Sequence, residues 1–399
     1  MEEKVAGLKI HTKAVHAGDR KQAGPHIPVT TPIHTATSYF YDSMQQLDRI
    51  FGGEEQGYCY SRYDNPSASA LEELLCSLEG GSAALACASG MAAIHMALTC
   101  ALTDRRRSVL AANAMYGATT NLLMSVFEPA GVAVRFVNIC DLDGVRAAAA
   151  AEKPGCILME IISNPLLRVG AIDRIAEIAR DAGAALVVDS TFGTPLLARP
   201  IELGASFSVH SLTKYLSGHG DVLGGAVITD KPHAENLRTL GRTLGPGLGP
   251  FECYLTMRGI KTFPLRMERQ CANACKVAQW LASHPRIEHV HFTGDPRHPD
   301  AETIRRLFPA NLYGAMVSFE VKGGGREEVF RFMDALKMIV RATSLGDVHS
   351  MALYPVMSSH RDLSPKHRER MGIRENLVRL SIGIEAPEDI IADLEQALR

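Results

Sequence analysis

The chain has 399 residues, and at about 150 residues per domain that is enough for two or three domains rather than one small core. Hydrophobic residues make up 46% and charged residues 22%, a globular balance that excludes wholesale disorder. Lys plus Arg number 42 against 44 Asp plus Glu, and a net charge of −2 gives no grip on nucleic acid or an anionic membrane.

The first residues, MEEKVAGLKIH, are too polar and acidic to read as a signal peptide. Residues 1–60 read as an irregular arm, punctuated by Pro25, Pro28 and Pro32 and without a sustained period in HTATSYFYDS (34–43). An arm of this length is expected to pack on a neighbouring subunit. Residues 69–79 (SALEELLCSLE) carry a helix pattern stopped by Gly80-Gly81. Strand patterns follow at SAALACA (82–88), RSVLAA (107–112), VAVRFV (132–137), GCILMEI (155–161), ALVVDS (185–190), SFSVH (206–210) and GGAVIT (224–229). Helical patterns such as IDRIAEIARDAG (172–183) lie between several of them. Continuously apolar strands alternating with helices predict an α/β fold, its mostly parallel sheet covered on both faces. In such a sheet the ligand lies outside the carboxyl ends of the strands.

A long helical stretch (251–284) interrupted at Pro264 comes next. Strand patterns at 287–292, 314–322 and 377–383 and helices at 325–337 and 387–398 then predict a smaller α+β unit. The expected division is an arm (1–60), a large domain (61–250) and a C-terminal domain (251–399). No uncharged apolar run is long enough to cross a bilayer. Nine scattered cysteines make no disulfide framework and fit a reducing, cytoplasmic setting.

The richest stretch for chemistry is HSLTKYLSGHGDVLGG (210–225), which puts Lys214 just past a strand end beside the Ser211 and Thr213 hydroxyls. Such a lysine suits Schiff-base chemistry next to a phosphate site, although alone it reads more readily as a solvated loop residue. Three features change that balance. Ser89, Gly90 and Met91 stand between a strand and a helix, where free N–H groups hold phosphate. Asp189 ends a buried strand, where a carboxylate keeps a pyridinium nitrogen protonated. Lys214 follows Asp189 at one strand–helix–strand spacing, so both can face one crevice.

Together these stretches resemble the pyridoxal-phosphate (PLP) enzymes of cysteine and methionine metabolism. This transsulfuration family includes methionine γ-lyase, cystathionine γ-lyase, cystathionine γ-synthase and O-acylhomoserine sulfhydrylase. The resemblance spans nearly the whole chain, through YSRYDNPS (60–67), SGMAAI (89–94), YGATTN (116–121), SNP (163–165), VVDS (187–190), HSLTKYLSGHGD (210–221), MRGIKT (257–262), TSLGD (343–347) and LVRLSIGIE (377–385). It implies a fold-type-I PLP-dependent transferase with 61–250 as the cofactor domain. It also implies that Lys214 binds the cofactor covalently and moves protons, Asp189 pairs the ring nitrogen, and Tyr116 stacks on the ring and assists the leaving group. Ser89, Gly90, Met91, Ser211 and Thr213 would hold the phosphate, joined by Tyr60 and Arg62 from a neighbouring subunit. Asn164 would contact the ring oxygen. Arg379, with help near Ser344, would bind the substrate carboxylate. The implied partners are an amino-acid substrate and further copies of the chain, as dimer pairs and a homotetramer, with no metal, nucleic acid or membrane.

C–S γ-elimination is the leading expectation, with γ-replacement on an O-acylhomoserine as alternative and a catalytically silent paralogue as the reading from another class. Methionine γ-lyases usually carry Cys where Ala118 stands and a Lys-Asp pair at Gly241 and Arg242. Cystathionine enzymes usually carry Glu at Thr343 and Arg at Asn121, and the asparagine is sulfhydrylase-like. Leu212, where a small residue is usual, is expected to crowd the pocket. Cys59, Cys271 and Cys275 read as packing thiols, Arg105-Arg106-Arg107 as a solvated loop face, and His219 with Asp221 as loop residues rather than metal ligands.

Overall fold

The structure, a computed structural model, describes residues 7–20, 26–103, 106–358, 361, 368 and 371–399. The expectations for residues 1–6, Pro25 and Arg105 lie outside the described residues. The large sheet consists of β1 (Ala83–Cys87), β2 (Ser108–Ala112), β3 (Ala133–Val137), β4 (Cys156–Glu160), β5 (Ala185–Asp189), β6 (Phe207–Ser211) and β7 (Gly225–Thr229). Their order is β1-β7-β6-β5-β4-β2-β3, and each falls on a run read as a strand from the sequence. Neighbours from β6 to β3 are parallel, whereas β7 is antiparallel to both β6 and β1. The chain steps outward from β2 to β3 and then crosses back over to β4. Strands β4 and β7 are buried from end to end. With helices on the sheet, each Leu, Ile or Val there leaves water on either side, worth about 1.5–3 kcal/mol per side chain.

The second sheet runs β10-β11-β12-β9-β8, from β8 (Ile287–His291), β9 (Met316–Val321), β10 (Val340–Arg341), β11 (Met351–Leu353) and β12 (Leu377–Ser381). The helical stretch between the sheets differs from expectation. It breaks at Lys261-Thr262 into Pro250–Ile260 and Phe263–Ser283, and Pro264 lies in the first turn of the second helix. A first-turn N–H has no intrahelical acceptor, so proline there removes nothing. The second helix joins both cores: Phe263, Met267 and Cys271 pack under the large sheet, Ala274, Val277 and Leu281 under the small one. The arm is less irregular than expected, with helices at Ile10–His16 and Met44–Phe51, the latter capped by the Ser43 hydroxyl accepting from Gln46 N–H. Among the described residues, no helix is long and apolar enough to cross a membrane.

Candidate active site

The β1, β4, β5 and β6 strands end on the same edge of the large sheet, and their ends meet β12 around a cavity of about 430 Å3. Gly225 permits the approach. It pairs with both Cys87 and Ser211, and a Cβ at this position would lie 2.2 Å from the Ser89 carbonyl oxygen and 2.7 Å from Gly90 N. Only a glycine lets the start of the Gly90–Leu102 helix cross the sheet edge here.

At that helix start, the Ser89 hydroxyl accepts from Ala92 N–H at 3.1 Å and so caps its own helix. The Gly90 and Met91 N–H groups have no intrahelical acceptor and face the cavity end where an anion is favoured. Ser211 lines the same end, whereas the Thr213 hydroxyl is closed on Gly224, accepting from its N–H at 3.0 Å and donating to its carbonyl at 3.2 Å.

Lys214 follows β6, and its Nζ donates to Ser344 Oγ at 2.9 Å. Burial and the nearby Arg379 charge push its amine down to about 8, against a smaller opposing pull from Asp347. The turn behind it is fixed by the buried Arg266 guanidinium, which donates to the Tyr215 carbonyl at 2.9 Å and the Leu216 carbonyl at 3.2 Å. Sequence reasoning missed Arg266, since its partners are main-chain carbonyls with no side-chain signature.

Asp189 ends β5, where Thr191 donates from Oγ1 at 2.6 Å and from its N–H at 3.0 Å, both to Oδ1. Its register partner on β4 is Glu160, so a half-buried and a buried carboxyl stand side by side at the cavity floor. Burial raises both above the ordinary carboxyl range, Glu160 to about 8, with Asp189 charge adding to the rise. A cationic ring nitrogen is the partner such a site lacks. Glu160 also escaped sequence reasoning, although GCILMEI shows the same signal as LVVDS, a charge at the end of an apolar strand.

Arg379 on β12 is buried. Its Nη1 donates to Asn164 Oδ1 at 2.9 Å and its Nη2 to the Ser344 carbonyl at 3.2 Å, while its Nε has no hydrogen-bond partner. A buried guanidinium N–H without an acceptor fits a ligand carboxylate. Tyr116 lines the cavity and is about 41% exposed.

Three expected residues stand apart from this cavity within one chain. Tyr60 and Arg62 are outside its lining: Arg62 stacks over the Tyr63 ring at 4.9 Å and donates to the Arg242 carbonyl. Asn121 lies beyond Tyr116, exposed, and accepts from the Ser125 hydroxyl at 2.8 Å. The expectation that Leu212 crowds the pocket is overturned. Leu212 is fully buried in the main core and lines no part of the cavity, unlike its neighbours Ser211, Thr213 and Lys214. His219 Nδ1 pairs with the Ser217 carbonyl, and no His, Cys, Asp and Glu cluster among the described residues can hold a metal.

A larger cavity, about 610 Å3, lies where β8 meets the large domain. Its charges are already matched, Arg168 with Asp300 and Arg297 with Asp295, so it lacks the unsatisfied donors of the smaller one. The smaller cavity fits PLP: a lowered amine for the aldehyde, a carboxyl for the ring nitrogen, and a helix start for the phosphate.

A family model for Cys/Met metabolism PLP-dependent enzymes matches residues 11–399. An L-methionine gamma-lyase of Pseudomonas putida is 40% identical, over 97% of this chain and 96% of that protein. An O-succinylhomoserine sulfhydrylase of Pseudomonas aeruginosa is 38% identical, over 100% of this chain and 97% of its own length. The crystal structure of cystathionine gamma synthase from Xanthomonas oryzae pv. oryzae in complex with cystathionine superposes with a TM-score of 0.91 at 34% identity, covering 98% of both chains.

Proposed function

Because the chain belongs to the Cys/Met metabolism PLP-dependent enzymes, we propose that this cavity breaks the Cγ–S bond of an uncharged sulfur amino acid such as methionine. The carrying observation is the half-buried Lys214 amine, lining the same cavity as Asp189 and Arg379 and lowered to about 8. When bound, PLP withdraws electrons from the substrate amine and makes the neighbouring protons acidic. The chain's residues do the rest. Arg379 seats the substrate carboxylate through its free Nε–H, and Asp189 keeps the ring nitrogen protonated. Lys214 Nζ takes the proton from Cα and then moves protons at Cβ, steered by Ser344 Oγ. Tyr116, which lines the cavity, supplies the proton to the departing sulfur in this reading. Overall, with methionine, water supplies the oxygen of 2-oxobutanoate, nitrogen leaves as ammonia, and sulfur leaves as methanethiol.

Elimination from an uncharged thioether is favoured by the distal wall, where Leu223, Thr343, Leu345 and Leu353 offer no charge to a second amino-acid end. The second reading, γ-replacement on an acylated homoserine, is favoured by the neutral Thr343 in the cavity wall. A product profile over methionine, cystathionine, homocysteine and an O-acylhomoserine plus thiol separates the two. Ammonia and 2-oxobutanoate are expected from methionine; thioether from the ester as the only product overturns the elimination reading. Lys214→Ala is expected to lose turnover by at least about 10³-fold together with the visible cofactor band. We further infer that the chain self-associates, with Tyr60 and Arg62 completing a neighbour's phosphate site, and that its cysteine usage places it in the cytoplasm.

A further inference from the structure

We propose that Glu160 is a positioning residue that joins the Tyr116 wall of the cavity to the Arg379 carboxylate seat, so that one buried carboxyl sets the placement of both. The inference rests on the reading of this cavity as the active site. Glu160 Oε1 accepts from Tyr116 N–H at 2.6 Å, and Oε2 accepts from Asn164 N–H at 3.2 Å. These N–H groups belong to different loops, one after β2 and one after β4. Main-chain acceptors serve neither of them, so only a side chain with two acceptor oxygens can hold the two loops together.

The link continues on the far side. Asn164 Oδ1 accepts from Arg379 Nη1 at 2.9 Å, Arg379 Nη2 donates to the Ser344 carbonyl at 3.2 Å, and Ser344 Oγ accepts from Lys214 Nζ at 2.9 Å. A continuous chain of hydrogen bonds thus runs from the Tyr116 backbone through Glu160 to Lys214. Glu160, Asn164 and Arg379 are all buried, where hydrogen bonds are stronger and a lost partner is costly. Glu160 lies at the cavity floor beside Asp189, and both its oxygens are taken by the Tyr116 and Asn164 N–H groups. A carboxyl that served only to satisfy two loops would affect folding but would not couple to carboxylate binding.

The test is a double-mutant cycle on the PLP-loaded protein, with glycine as probe because it carries the amine and carboxylate but no γ-substituent. Glycine binding is read from the change in the visible cofactor band, and melting temperature reports folding. Glu160→Gln leaves one acceptor for two donors. It is expected to lower kcat about 10- to 100-fold and to weaken glycine about 10-fold, the scale of one buried N–H left without its acceptor. In an Asn164→Ala background, the same change is expected to weaken glycine less than about twofold, since the path to Arg379 is already cut. If Glu160→Gln adds its full factor in that background, or leaves kcat and glycine affinity within about twofold of wild type, the inference is overturned. Should Glu160→Gln not fold, Glu160→Asp, which keeps the carboxyl but shortens the reach, is read by the same two criteria. Wild-type behaviour of the Glu160 variants with an inactive Lys214→Ala overturns this inference alone. A Lys214→Ala protein that keeps band and turnover overturns the reading of the cavity beneath it.

Discussion

At Lys214, burial and the Arg379 charge act in the same direction, and the amine titrates at about 8 instead of 10.5. The sign is that of a base held below its ordinary value: below pH 8 the ammonium dominates and cannot attack an aldehyde, and above it the free amine does. Uptake of PLP by cofactor-free protein is therefore expected to accelerate about tenfold per pH unit from pH 6 to 7.5. It then levels off above the amine's midpoint of about 8, as followed by stopped-flow absorbance. Acceleration that continues unbroken toward 10.5 contradicts a half-buried, lowered lysine. Asp189 was legible as a charge ending an apolar strand run, Lys214 only in combination with Asp189 and the Ser89–Met91 turn, and Arg379 only through the family resemblance of LVRLSIGIE. Glu160 shows the same pattern but bonds to main-chain N–H groups 44 positions upstream and four downstream, which no side-chain motif marks. The closure of Thr213 on Gly224 was equally hidden, because it depends on how a loop turns back rather than on which residues it contains.

Elements that bury a whole run of side chains were the readable ones. All seven strands of the large sheet were visible as predominantly apolar runs; β4 and β7 are buried from end to end, whereas the edge strand β3 is partly exposed and carries Arg135. Strands β10 and β11 were not, being two and three residues long, too short for any period to show. They matter because the loop between them carries Ser344 and Thr343 to the cavity. The helix break was placed at Pro264, yet it falls at Lys261-Thr262, because proline begins helices as readily as it ends them. One element-scale contact has a sharp consequence. The start of the Gly90–Leu102 helix reaches the phosphate end only by crossing β7 at Gly225, where an added methyl would sit 2.2 Å from the Ser89 oxygen. Gly225→Ala must push that helix start away from β6. It is expected to cost about 1–3 kcal/mol in denaturant unfolding. PLP affinity is expected to fall at least about tenfold, because the Gly90 and Met91 N–H groups move off the phosphate. An unchanged affinity, read by cofactor titration, removes this helix start from the phosphate site.

For the whole molecule, the question is how much of the site one chain contains. The arm exposes Phe40 at 87%, Val29 and Met44 at 74% each, and Leu223 beside the cavity is 66% exposed. Large apolar side chains exposed in one region of a soluble chain mark a surface that another protein covers. Within one chain Arg62 is folded over Tyr63, away from the helix start, and Arg266 and Arg379, buried beside Lys214, are committed to carbonyls and Asn164. A second copy whose arm brings Arg62 to this phosphate end satisfies both observations at once. Mixing two inactive variants tests this directly. Lys214→Ala and Arg62→Ala chains, each inactive alone, are co-expressed with different tags and the mixed species is purified. If Arg62 serves the neighbour, one site of each mixed dimer combines an intact Lys214 with an intact Arg62. The purified mixed dimers should then regain about half of wild-type activity, since one of their two sites is whole. If Arg62 serves its own chain, every site lacks one of the two residues and mixing restores nothing. Mixed dimers that form and stay inactive therefore defeat the shared site, and with it the role inferred for the arm.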